Sequence, residues 1–359
     1  MSKQNSKLNW PLVGNAHITE FIEKLILKDE VSGTYIFSGP DNLGKTTTAI
    51  YFAQILLCQN KQNGKVLPCG ECSICRHFSE QRNQESSVAS GETGQDEMLY
   101  AHGDFHLIKK EKDKKNIGIE QIRDFIRTLN LSSFLDSYKI GIIKHADSLS
   151  NEASNALLKT LEEPKEKVII ILISADIGQI HSTIVSRSKV LNFHPVPTEE
   201  IYDYLLKDLK KSRSEAKSYS RLALGRPALA VKFLEDREFN QKYQEKMNIF
   251  INFFSQDINS RLLAVDQLFD KKVAGQELVK KTKRTLEVWQ GIIRDFLLIE
   301  CGQDNLMQHV IVEDKIKQAG RGIAASRLLN CSTLIQRSKI MLEANVNPKL
   351  VLDNIAINL

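Results

Sequence analysis

The stretch Gly39-Pro-Asp-Asn-Leu-Gly44-Lys45-Thr46 constrains this chain more than any other. It fits the pattern G-x-x-x-x-G-K-[ST] without a mismatch, and its setting fits as well. The run Thr34–Ser38 before it reads as a strand, and Thr46–Leu57 after it reads as a helix. A strand that feeds a glycine-rich turn and then a helix aims backbone N–H groups at one point. The positive end of the helix lies behind them. Such a point is built for phosphate. Lys45 is expected to reach the β- and γ-phosphates of a nucleotide, and Thr46 to ligate Mg²⁺. Gly39, Gly44, Lys45, Thr46 and Thr47 are therefore the expected cofactor-binding residues, for ATP or ADP.

That unit belongs in a parallel α/β sheet, and the first ~195 residues supply one by alternating apolar runs with helical periodicity. The other strand candidates are Phe105–Lys109, Lys139–Ile143, Val168–Ser174 and Val190–Phe193. Between them lie the helix Ile119–Leu129, with Ile119, Ile122, Ile126 and Leu129 on one face, and the helix Glu152–Glu162, stopped by Pro164. In the second helix Ala153, Ala156, Leu157, Thr160 and Leu161 share a face. Gln81–Gln95 is polar and reads as a loop. After Pro195 and Pro197 no convincing strand follows. The expected division is a nucleotide-binding domain over 1–195, a small helical domain over 196–238 and a larger helical domain over 239–359. At 359 residues the chain is long enough for all three.

The longest apolar run, Val168–Ile173, is far too short to span a membrane, and Met1–Trp10 lacks the apolar stretch of a secretion signal. A cytoplasmic address is expected, where cysteines are thiols or metal ligands. The net charge of +5, spread over 49 basic residues, permits an anionic partner without demanding one.

Cys58, Cys69, Cys72 and Cys75 follow C-x10-C-x2-C-x2-C. Paired x2 spacings bring sulfurs together through tight turns, and Pro68 and Gly70 supply the turn chemistry. These four thiolates are expected to hold one structural Zn²⁺ in a module spanning about 58–76. Cys301 and Cys331 stand apart and read as core residues.

A zinc module inserted behind the helix of a phosphate loop resembles the bacterial clamp-loader subunits of the AAA+ class, those of DNA polymerase III. Ile117-Gly-Ile-Glu-Gln-Ile-Arg123 and Ala146-Asp147 after the Lys139-Ile-Gly-Ile-Ile143 strand are similar to that family. Asn155-Ala-Leu-Leu-Lys-Thr-Leu-Glu-Glu-Pro164 resembles it almost letter for letter. Ser182-Thr-Ile-Val-Ser186-Arg187-Ser188 looks like its S-R-C segment, with serine in place of cysteine, and Asn345-Val-Asn347-Pro-Lys-Leu350 like its closing helix. The likeness is strong over the first ~195 residues and patchy beyond. It implies an AAA+ domain, then an all-helical lid and an all-helical collar that serves oligomerisation. It also implies partners: motor (γ/τ) and δ subunits in a hetero-oligomeric ring, with the sliding clamp and primed DNA reached through the complex.

Departures from the family pattern point to the subtype. A hydrolysing member carries Asp-Glu after the third strand, for Mg²⁺ and for the attacking water. The matching positions here are Lys144 and His145. Asp147 reads as the N-cap of the next helix. The lid position where a cis arginine is expected holds Ala228, with Arg226 out of register. Arg187 matches the arginine that acts in trans on a neighbour's phosphates. This combination resembles the δ′ type, a stator without ATPase activity of its own, although many δ′ chains have a decayed phosphate loop and this one is intact. The rivals are an active γ/τ-type motor and a free-standing zinc- and nucleotide-dependent nucleic-acid binder. The second would need a basic surface interleaved with aromatics, and the lysines and arginines here are scattered.

Overall fold

A computed structural model describes residues 8–60, 67–88, 103–111, 114, 116–133, 138–269, 273 and 275–359. One sheet contains β1 (Gly33–Ser38), β2 (Phe105–Ile108), β3 (Lys139–Lys144), β4 (Val168–Ser174) and β5 (Ser188–Asn192). Every pairing is parallel, and the order is β2-β3-β4-β1-β5. All five strands are those expected from the sequence, β4 with the same bounds and the others with ends moved by one or two residues.

The central strand β4 is buried at every position, as a parallel strand covered on both faces must be. Its side chains alternate between two cores. Ile169, Ile171 and Ile173 pack with Tyr35, Phe37 and Phe52, whereas Ile170 and Leu172 pack with Phe125, Leu129 and Leu157. Ser38, Ser174 and Asn192 stand side by side in register, so β1, β4 and β5 end together. Ligand sites of parallel α/β sheets lie outside such carboxyl ends.

The helices of this sheet are α1 (Ala16–Leu27), α2 (Lys45–Leu57), α3 (Ser73–Val88), α4 (Ile119–Asn130), α5 (Asn151–Glu162) and the short α6 (Ser182–Val185). Two details differ from the sequence expectation. The segment Gln81–Gln95 begins as helix, because α3 runs to Val88, while 89–95 lie outside the described residues. No Gly or Pro interrupts α3, and its Gln, Arg and Glu are good helix formers. In α4 the buried face is Ile122, Phe125 and Leu129. Phe125 fits because β3 carries Gly141 beneath it; a Cβ there would lie 2.3 Å from the ring.

The second part of the chain is helical: α7 (Thr198–Lys207), α8 (Arg213–Leu222), α9 (Pro227–Glu235), α10 (Arg237–Phe253), α11 (Ile258–Asp266), α12 (Gly275–Glu300), α13 (Glu313–Gly320), α14 (Ala325–Glu343) and α15 (Pro348–Asn358). Among the described residues no strand follows β5. The chain forms two compact units, Met1–Glu200 with Arg226–Ala228, and Ile201–Gly225 with Leu229–Leu359. Trp289 centres the core of the second, stacked on Phe250 with ring centroids 4.8 Å apart. Buried Asp295 accepts from the N–H groups of Gln308 (2.9 Å) and His309 (2.8 Å) and lies 2.7 Å from His309 Nδ1. His309 Nε2 is 2.8 Å from the Tyr243 hydroxyl, so this polar network is paired throughout. Cys331 belongs to this core, but Cys301 is exposed at the end of α12, contrary to expectation. It follows the last helical turn, where the chain leaves the packed face. Among the described residues, no helix is long and apolar enough to cross a membrane.

Candidate nucleotide pocket and cysteine centre

The loop between β1 and α2 takes its shape from two glycines. Gly39 has φ 136°, and a Cβ on it would lie 2.3 Å from the Phe193 carbonyl oxygen. Gly44 has φ 87° and caps α2 without a side chain; a Cβ on it would meet Leu12 at 2.8 Å. Only glycine suits both positions. The first helical bond of α2 runs from the Thr48 N–H to the Gly44 carbonyl (2.8 Å). The N–H groups of Lys45, Thr46 and Thr47 precede it at the positive end of the helix.

Lys45 is 5% exposed, and its ammonium turns back onto the loop. It donates to the carbonyls of Gly39 and Pro40, the latter at 2.7 Å, with the Asp41 carboxylate 3.9 Å away. Burial pulls its pKa below the usual lysine value, while the charges of Asp41 and Asp147 push it up. A phosphate here would replace the two carbonyls as acceptor.

These residues face a cavity of about 230 Å³, which also reaches Lys144, His145, Ser174 and Ala228. Sites that enclose a drug-sized ligand run about 300–1,000 Å³, so this volume suits a phosphate chain better than a whole nucleotide. Lys144 ends β3, and His145 follows in the left-handed region at φ 56°. A cation and an imidazole thus stand on this wall. Ala228 brings a methyl group to the same wall, its N–H donating to the Asn42 carbonyl at 3.2 Å.

Asp147 corrects an expectation. It does not cap α5; Ser150 does, its hydroxyl accepting from the Ala153 N–H at 3.1 Å. A cap must reach the second or third helical N–H, and Asp147 sits three residues too early. It lies instead in the turn Ala146–Ser148, its carboxylate 3.4 Å from the Ala175 N–H and close enough for its charge to act on Lys45. The clue was present in the sequence, since Ser150 directly precedes the periodic segment.

Cys58 ends α2, Cys69 and Cys72 lie on the following turn, and Cys75 is in the first turn of α3. Their four sulfurs lie within 4.8 Å of one another, and Cys69 and Cys75 are 3.9 Å apart. All are free thiols, and 3.9 Å is far beyond a disulfide bond. A tetrahedral zinc site with bonds of about 2.3 Å has sulfur–sulfur edges of roughly 3.8 Å, close to the Cys69–Cys75 separation. N–H donors already point at the sulfurs: Cys72 to Cys69 Sγ and Cys75 to Cys72 Sγ, both 3.4 Å, and Asn60 Nδ2 to Cys69 Sγ at 3.3 Å. Such donors stabilise thiolates and orient them. Burial pushes the Cys58 and Cys75 thiols up. At Cys69 burial is opposed by the backbone N–H groups of Cys72 and Glu71, and its pKa falls to about 6. The donor set fits a closed four-sulfur zinc site.

Arg187 lies apart from both centres, just beyond α6, with its side chain 37% exposed. It pairs with Glu162 at 2.9 Å and donates to the Thr183 carbonyl at 3.0 Å and the Ser186 hydroxyl at 3.3 Å. The structure therefore gathers Gly44, Lys45, Thr46 and Thr47 at one pocket, with Gly39 shaping the loop but not lining it, brings the four cysteines together at a second centre, and leaves Arg187 on the surface.

Residues 14–197 match the family model described as DNA polymerase III, delta subunit. The tau subunit of DNA polymerase III from Bacillus subtilis is 26% identical over 361 residues, 94% of this chain but 59% of that relative. The delta′ subunit from the same organism is 24% identical over 344 residues, 95% of each chain. That of Pseudomonas aeruginosa is 30% identical over 153 residues, 43% of this chain and 40% of the relative. Among solved structures, a DNA polymerase III gamma subunit-related protein from Thermotoga maritima aligns over 94% of this chain and 97% of its own. Its TM-score is 0.50 at 16% identity, a likeness of fold alone.

Proposed function

Because the chain belongs to the DNA polymerase III delta-subunit family, we propose that it is the δ′-type subunit of a clamp loader, a stator that does not turn over ATP. The observation that supports this reading is the wall of the phosphate pocket, lined by Lys144 and His145, which by the family resemblance match the Asp-Glu of a hydrolysing member. A lysine there repels a divalent cation, and an imidazole at that position cannot take the part of the missing glutamate. The intact loop still offers ATP or ADP the first-turn N–H groups of α2 and the Lys45 ammonium. Nucleotide would act as a structural ligand, and Mg²⁺ would be held poorly.

The chain's contribution to chemistry is then Arg187, donated in trans to the phosphates of a neighbouring motor subunit. Its partners are the motor (γ/τ) and δ subunits of a hetero-oligomeric ring in the cytoplasm, with the sliding clamp and primed DNA reached through that ring. The helical part of the chain would comprise the lid (196–238) and the oligomerising collar (239–359). The cysteine module would hold one structural Zn²⁺. The unbroken phosphate loop also favours a second reading, an active γ/τ-type motor, to which the tau relative is similar.

Gel filtration of the purified chain with its cognate motor and δ subunits tests the assembly role. A stable complex containing all three is expected, and a chain that elutes alone under every nucleotide condition would contradict it.

A further inference from the structure

Glu162 is the last residue of α5, where the helix carbonyls make a negative charge unfavourable. The helix does not gain from a carboxylate there. What neutralises it is the Arg187 guanidinium, 2.9 Å away. The same guanidinium donates to the Thr183 carbonyl at 3.0 Å and to the Ser186 hydroxyl at 3.3 Å. These contacts come from the end of α5 and from two points on and just after α6, so together they fix the plane of a group that otherwise rotates freely. An arginine has five N–H donors, so this arrangement leaves donors for an anion from outside. Both side chains of the pair are exposed, 37% for Arg187 and 49% for Glu162, and exposed pairs add little to stability. The pair thus does more to choose one orientation of Arg187 than to hold the fold together.

We propose that Glu162 is a positioning residue for Arg187, holding its guanidinium in the orientation that meets a neighbouring subunit's phosphates. The inference rests on the reading of Arg187 as an arginine donated in trans. Removing Glu162 would leave Arg187 present but dispersed over several rotamers, so kcat should suffer while substrate affinity should not.

The test uses the assembled complex and reads its DNA-stimulated ATPase as kcat and KM. Wild type is compared with Arg187→Ala, Glu162→Ala, Glu162→Gln and the Arg187→Ala/Glu162→Ala double variant. One site of several depends on this chain, so Arg187→Ala should lower total kcat by that site's share, about one-and-a-half- to twofold for two or three independent sites. Glu162→Ala should lower it by a substantial part of that amount with KM unchanged. Glu162→Gln, which keeps an acceptor, should recover part of the loss, and it also serves if Glu162→Ala fails to assemble. The double variant should match Arg187→Ala. Wild-type kcat in Glu162→Ala with a deficit in Arg187→Ala would sink the role of Glu162 and spare that of Arg187. Wild-type kcat in both would sink the reading of Arg187, and this inference with it. A double variant well below Arg187→Ala would show Glu162 acting by another route, which also overturns the proposal.

Discussion

Lys45 joins the sequence motif to the physics of the pocket. Its ammonium is buried against the Gly39 and Pro40 carbonyls, and removing it would leave those two carbonyls without that donor. The fold should hardly notice, because the glycines and the register of β1 set the loop. Phosphate binding should notice, since a hydrogen bond to a charged group contributes about 1.5–3 kcal/mol. Lys45→Ala should therefore weaken ATP and ADP binding by roughly 10- to 100-fold by calorimetry, with assembly retained. Unchanged affinity would mean that nucleotide binds elsewhere or not at all. At this scale the sequence was legible where a motif fixes both neighbours, as for Gly39 and Gly44. It was misleading at Asp147. A short polar residue before a helix invites an N-cap reading, but Asp147 sits in the turn Ala146–Ser148 and Ser150, nearer the periodic segment, caps α5.

The element that binds the two centres together is α2. Its first turn faces the phosphate pocket, and its C-cap is Cys58, so one helix carries both. The cysteine module is rooted in the sheet core: Cys58, Cys72, Cys75 and Phe78 are buried there, with Phe78 and Phe105 rings 5.0 Å apart. Elemental analysis of protein prepared without chelators should find about one zinc per chain. Cys72→Ser, or stripping the metal, should lower the thermal midpoint by several degrees and leave far-ultraviolet signals of the sheet in place. Because metal displaces thiol protons, and burial raises the Cys58 and Cys75 thiols, zinc affinity should fall as pH is lowered. Metal-free protein with an unchanged midpoint would contradict the site. Spacing alone exposed this cluster, because ligands within a span of eighteen residues must be brought together by local turns. The extent of α3 was less legible. Polarity marked 81–95 as loop, yet polar helix formers extend a helix as readily as they leave it. Phe125 was missed on α4 for a similar reason: its place in the core depends on Gly141, from a strand met only in three dimensions.

For the whole molecule, the parallel sheet and the switch to an all-helical remainder followed from periodicity, because a parallel strand buried on both faces announces itself as an apolar run such as Val168–Ile173. The structure adds the lining of the pocket, which includes Lys144, His145 and Ala228; on the proposed reading these stand where a hydrolysing subunit carries its catalytic groups. The purified chain, alone with Mg²⁺ and saturating ATP, is predicted to show no steady-state ATPase above background, and Lys45→Ala should change nothing in that assay. Turnover near about one per second, within the ordinary enzymatic range, that vanished in Lys45→Ala would contradict the account and identify the chain as a motor.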